Sequence, residues 1–177
     1  MRNMLKNILI FTVIIHIVSY INAQVKETVG EDTSDIVITQ RVKEAFATDP
    51  AVNKGDINVE TYEGVVQLSG FVDTSEQVSR AGEIAAGVKG VKSVKNTLIV
   101  KEEGLGEFID DSIIIAKIKT SFALDPTVSA LSIKVNSLNG AVQLSGFVDS
   151  AEEARRAEEI AAGVKGVKLV ENDIIVK

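Results

Sequence analysis

Residues 64–73 read GVVQLSGFVD, and residues 140–149 read GAVQLSGFVD. The second stretch stands 76 positions after the first, and other stretches return at the same offset. EIAAGVKGVK occupies residues 83–92 and again residues 159–168, and Asp49-Pro50 returns as Asp125-Pro126. From residue 49 to residue 101 about 32 of 53 positions are identical to their partners without a gap, so the chain holds one folding unit twice. A unit of about 65–70 residues is longer than a solenoid repeat and long enough to bury a small core of its own. Whatever the protein does is therefore built from two similar surfaces.

Working outward from the repeated stretch, its centre reads as a strand. Val66, Leu68, Gly70 and Val72 fall on one side, and Val65, Gln67, Ser69 and Phe71 on the other. Alternating segments precede it at residues 57–62 and 132–138, joined to it by Glu63-Gly64 and Asn139-Gly140. Asn-Gly is a strong two-residue hairpin signal, because both residues tolerate positive φ. Each unit opens with a helix-period segment, residues 35–50 and 111–126. Ile38, Val42, Ala45 and Phe46 share a face in the first, and Ile114, Ile118 and Phe122 in the second. Asp35 and Asp111 read as N-caps, and Pro50 and Pro126 stop the helices. After the second strand, DTSE (residues 73–76) and DSAE (residues 149–152) read as capping boxes of a second helix. Val78, Ala81, Ile84, Ala85 and Val88 line its buried side, matched by Ala154, Ala157, Ile160, Ala161 and Val164. Gly90 and Gly166 end that helix, and a third strand follows.

The order is thus α-β-β-α-β. The hairpin strands must be antiparallel, and the helical crossover makes the second and third strands parallel. The expected fold class is α+β: two tandem α-β-β-α-β domains, each a small mixed three-stranded sheet packed on two helices. The domains occupy residues 35–101 and 111–177, with a linker at 102–110 that contains Gly104 and Gly106.

Residues 1–23 differ from the rest. Arg2 and Lys6 precede an apolar run from Ile8 to Val18, followed by small and polar residues up to Ala23. This reads as a secretory signal peptide cleaved after Ala23, leaving an acidic leader at residues 24–34. The chain contains no cysteine and no tryptophan, and its single histidine, His16, leaves with the signal. Thiolate nucleophiles, Cys/His zinc sites and histidine bases are then excluded. No serine–lysine pair sits at a strained turn after a strand, and no acidic pair has calcium-loop spacing, so the expectation is no enzyme, no catalytic residue, no metal and no cofactor.

The formal net charge is −6, becoming −8 without Arg2 and Lys6. Each repeat carries 8 basic and 9 acidic residues, so the excess lies in leader and linker. Near-neutral domains joined by acidic connectors give no footprint for nucleic acid. The glycines of GVKGVK follow a helix C-terminus, where the dipole disfavours phosphate, so no nucleotide site is expected.

Two surfaces stand out as candidate contacts. Lys89, Lys92, Lys165 and Lys168 cluster at the helix ends, either balancing the helix dipole or meeting an anionic headgroup. The first helix of the second copy carries Ile113, Ile114, Ile115 and Ile118 with Lys117 and Lys119. Three consecutive isoleucines cannot all face inward on a 3.6-residue period. Ile113 or Ile115 should therefore be partly exposed or face the other domain. The candidate contact set is Ile113, Ile115, Lys117, Lys119, Lys165 and Lys168.

The α-β-β-α-β order, together with G-x-V-x-L-S-G-x-V, a capped helix and G-V-x-x-V before the last strand, resembles the BON domain family. Both repeats carry the pattern, as GVVQLSGFVD with GVKGVKSV and as GAVQLSGFVD with GVKGVKLV. The resemblance implies a non-enzymatic bacterial envelope module, associated with osmotic and envelope stress, with anionic phospholipid, or with chaperone-like help to exported proteins. It also implies that lipid contact, where it occurs, falls on the first helix of the second domain, here residues 111–124, which lacks the tryptophan that would seat it among headgroups. The expected protein is periplasmic or secreted, with exported client proteins as partners or, alternatively, an anionic phospholipid surface.

Overall fold

The computed structural model describes residues 33–52, 57–101 and 110–177. The expected signal peptide, most of the leader and nearly all of the linker lie outside the described residues. In the first repeat α1 (Asp35–Thr48) is followed by β1 (Asn58–Tyr62), β2 (Val65–Val72), α2 (Ser75–Ala86) and β3 (Ser93–Val100). In the second, α3 (Asp111–Leu124) leads to β4 (Ile133–Leu138), β5 (Ala141–Val148), α4 (Ala151–Ala162) and β6 (Leu169–Val176). Each sheet has three strands with the repeated stretch in the middle, β1-β2-β3 and β4-β5-β6. The central strand is antiparallel to its hairpin partner and parallel to the strand after the helix. This is the α+β arrangement that the element order demands.

The core follows the helical and strand periods. Ile38, Val42 and Phe46 from α1 meet Val66, Leu68 and Val72 from β2 and Ala81 and Ala85 from α2. Ile114, Ile118 and Phe122 take the same places in the second repeat, against Val142, Leu144, Val148, Ala157 and Ala161. The alanines let each second helix lie close to its sheet. Within the sheet, Gly146, at φ +131°, stands so close to the start of β4 that a Cβ there would sit 2.0 Å from the Ser132 carbonyl oxygen.

The caps fall one residue away from the expected ones. The N-cap positions of α1 and α3 are Ser34 and Asp110. Asp35 and Asp111 instead grip the hairpin turns. The Asp35 carboxylate accepts from the backbone N–H of Glu63 (2.7 Å) and Gly64 (2.8 Å). Asp111 accepts from Asn139 (2.7 Å) and Gly140 (3.0 Å). The reason lies in the turn: Glu63 and Asn139 have φ of 48° and 53°, and the glycines after them are also positive, which leaves two adjacent N–H groups for one carboxylate. Thr74 and Ser150, rather than Asp73 and Asp149, cap α2 and α4. The reciprocal box is Thr74 with Gln77.

Candidate functional site

The two sheets stack through the faces that carry Gln67, Ser69, Gln143 and Ser145. All four side chains are buried. Their hydrogen bonds form a reciprocal set. Gly70 N–H donates to Gln143 Oε1 and Gly146 N–H to Gln67 Oε1, both at 2.8 Å. Gln67 Nε2 donates to the Asp173 carbonyl at 2.6 Å, and Gln143 Nε2 to the Thr97 carbonyl at 2.5 Å. The hydroxyls of Ser69 and Ser145 meet at 2.8 Å. Each bond repeats itself when the copies are exchanged, so the repeats are related by a local two-fold axis through the serine pair. Outside the glutamines, Asn58 donates to Asn136 at 2.8 Å while Lys134 pairs with Glu60 at 3.3 Å. Among the described residues no buried side-chain polar atom lacks a partner.

This packing separates the sequence-selected contact residues. Ile114, Ile118 and Phe122 take the core-facing stripe of α3, and the remaining residues fall on its two flanks. On one flank Ile113, Ala116, Lys117 and Thr120 line a shallow hollow together with Val164 and Lys165 from the turn after α4. Ile113 is 50% exposed there. On the other flank Ile115 is half-buried and borders a small hollow shared with Asn58, Gly70 and Phe71 of the first repeat. Both sequence expectations for the isoleucine run thus occur, one at each residue. Lys119 is exposed on the side of Ile115, and Lys168 lines a separate cleft between the sheets. Ile113, Lys117 and Lys165 come together; Ile115, Lys119 and Lys168 do not join them.

The equivalent surface of the first repeat is more polar. Val37 stands where Ile113 does, Gln40 where Ala116 does, and Glu44 where Thr120 does. Arg41, in the place of Lys117, donates to the Lys89 carbonyl at 3.4 Å, and Gln40 donates to Glu44 at 3.0 Å. The second repeat therefore sets Ile113 beside Lys117 and Lys165 with Ala116 and Thr120 on the same flank, while the first has Val37, Arg41 and Lys89 in the corresponding places with a Gln40–Glu44 pair in place of Ala116 and Thr120.

Near the opposite helix ends, Arg156 bonds Asp125 and Arg80 bonds Asp49, each through Nη2 at 2.8 Å. The backbone N–H of Thr127 and then the Arg156 guanidinium hold the Asp125 carboxyl below its usual range. Ala51 N–H and Arg80 do the same to Asp49. These are structural pairs that close the loop after each first helix. No cluster of three metal-ligating side chains occurs among the described residues. Nor is any helix among them long and apolar enough to cross a membrane.

The BON domain model matches residues 34–102 and 110–177. The chain belongs to the BON domain family. The chain is 40% identical to "Osmotically-inducible protein Y" of Escherichia coli K12 over 84% of this chain and 76% of that protein. It is 33% identical to "Outer membrane lipoprotein DolP" of Haemophilus influenzae over 81% of this chain and 75% of that protein. It is 34% identical to the "21 kDa hemolysin" of Actinobacillus pleuropneumoniae over 80% and 73%. In this BON pair the buried Gln-x-Ser-Gly face was the feature that sequence reasoning missed. Its signal was available: one polar strand face repeated identically, QLSGF at residues 67–71 and 143–147.

Proposed function

We propose that the protein is a non-enzymatic binding module of the bacterial envelope, acting in the periplasm as a stress-related interaction or chaperone-like factor for exported proteins. Its relatives' names, osmotic induction and an outer-membrane lipoprotein, support the compartment and the setting. The observation that carries the reading is the α3–α4 hollow, where half-exposed Ile113 lies beside Lys117 and Lys165, at positions whose first-repeat counterparts are flanked by the polar Gln40–Glu44 pair. A shallow apolar spot with exposed cationic rims suits transient contact with unfolded chain better than tight capture of one small ligand. The net negative charge and the absence of tryptophan favour a protein partner over an anionic bilayer.

A second reading rests on the same two lysines. A basic residue near an anionic surface contributes about 1 kcal/mol, so Lys117 and Lys165 beside an insertable isoleucine would also suit phospholipid headgroups. One experiment separates the two. The protein is tested for suppression of aggregation of a heat-denatured exported protein, and for co-sedimentation with vesicles of phosphatidylethanolamine with and without phosphatidylglycerol. The client reading expects suppression at stoichiometric ratios and no sedimentation. Sedimentation that requires phosphatidylglycerol and fades with salt would replace it with the lipid reading.

A further inference from the structure

The two-fold relation holds for the hydrogen bonds between the sheets but fails at their corners. At one corner the Tyr62 ring lies on Phe147, centroids 5.6 Å apart and planes tilted by 34°. The Lys177 ammonium sits 5.2 Å from the Tyr62 ring centroid and is held by Asp149 at 3.0 Å. That carboxylate keeps the Lys177 pKa above the usual lysine value. The related corner repeats most of this arrangement. Phe71 stands for Phe147, and Lys101 is held by Asp73, again at 3.0 Å. Among the described residues the Tyr62 ring has no counterpart at the same position. Leu138 takes the place of Tyr62, and Ala141 takes the place of Val65. These positions pair with each other across each hairpin, Tyr62 with Val65 and Leu138 with Ala141. Both replacements are smaller, and Ala141 is the single difference between the two copies of the repeated decapeptide.

The result is a cleft of about 720 Å³ that includes Phe71, Leu138, Ala141 and Leu169. Phe147 is 8% exposed beneath Tyr62, whereas Phe71 is only half-buried, and Leu169 at the rim is 53% exposed. Residues 96–101 line the cleft without a break, and β3 is an edge strand with one neighbour in its sheet.

We propose that this cleft is a binding site for an aromatic side chain, tyrosine or phenylalanine, presented by an extended polypeptide. The molecule itself shows the fit, because Tyr62 fills the symmetry-related corner. The electrostatics match: Asp73 positions the Lys101 cation, and a ring between Phe71 and Lys101 turns a negative π face toward it, as Tyr62 does for Lys177. The edge of β3 offers main-chain groups to a strand that carries such a ring. The cleft shares no residue with the Ile113 hollow, so the two sites stand or fall separately.

The test is methyl NMR on the full-length protein titrated with N-acetyl-tyrosinamide, with N-acetyl-leucinamide as the control. The tyrosine probe is expected to shift the Leu138 and Leu169 methyl signals, and the leucine probe to leave them in place. Leu138→Tyr should remove the response by plugging the cleft, and Leu138→Phe serves the same purpose if the tyrosine variant does not fold. Lys101→Met should weaken binding about three- to tenfold, the range for loss of one cation–π contact. Tyr62→Leu should open the twin corner and add a second set of shifts around Phe147. Equal shifts from both probes, no shift at Leu138 and Leu169, or a response that persists in the plugged variant would overturn the assignment.

Discussion

Gln67 and Gln143 stand on the sheet face that an isolated α-β-β-α-β unit would leave to water. Here each is buried and accepts from a glycine N–H of the other repeat while donating to one of its carbonyls. The glycines matter because their positive φ, 130° at Gly70 and 131° at Gly146, belongs to a conformation L side chains rarely adopt. The two glutamines are not equivalent. Gln143 also donates to Asp173 Oδ2 at 2.8 Å, a bond the first repeat lacks because Thr97 stands in place of Asp173. Net hydrogen bonds contribute about 1 kcal/mol each, and an orphaned buried partner costs roughly 1–3 kcal/mol. Gln67→Leu should therefore destabilise the protein by about 2 kcal/mol and Gln143→Leu by about 3 kcal/mol. Urea denaturation checks both. Equal, negligible effects would mean that the sheets are held by something other than this exchange.

At the scale of elements, much was legible because local patterns dictate it. Apolar residues four apart gave both first helices, Asn-Gly and Glu-Gly gave the hairpins, and a helix between strands two and three required them to be parallel. The caps slipped by one residue because Asp35 and Asp111 had a stronger claim elsewhere, the paired N–H groups of a positive-φ turn. The loop after each first helix has its own tie, Asp49 with Arg80 and Asp125 with Arg156. Backbone N–H donors first and the guanidinium second lower both carboxyl pKa values from 3.8. A lowered native pKa favours the charged form in the fold, so this stabilisation is present above the unfolded value and is lost as pH falls through the native one. Stability should hold from neutral pH down to about 4 and then decline. The decline below about pH 4 should be shallower in a protein carrying Asp49→Asn and Asp125→Asn, measured by urea midpoints across that range. An unchanged slope would show that these carboxylates do not contribute to acid sensitivity.

At the scale of the whole molecule, the sequence announced two like domains but not how they meet. A polar strand face reads as a solvent face under the period-2 rule, and hydrogen bonds between residues 73 and 79 apart cannot be read from either copy by itself; the identical QLSGF of the two copies was their one sign. For the same reason the isoleucine run on α3 could be flagged but not divided. Only the packing sends Ile115 toward the first repeat and leaves Ile113 outside with Lys117 and Lys165. The core and the glutamine exchange recur in both copies, while the outer flank of the first helix differs between them. The most direct measurement compares matched double variants. Ile113→Asp with Lys117→Glu alters the second repeat, and Val37→Asp with Arg41→Glu alters the same places in the first. Both are assayed for client protection and vesicle binding, with circular dichroism confirming the fold. The account predicts at least a tenfold loss of whichever activity the unaltered protein shows in the second-repeat variant, about the 1.4 kcal/mol or more expected from reversing one cation and burying a charge, and less than twofold in the first. Equal losses from the two variants, or none from either, would contradict it.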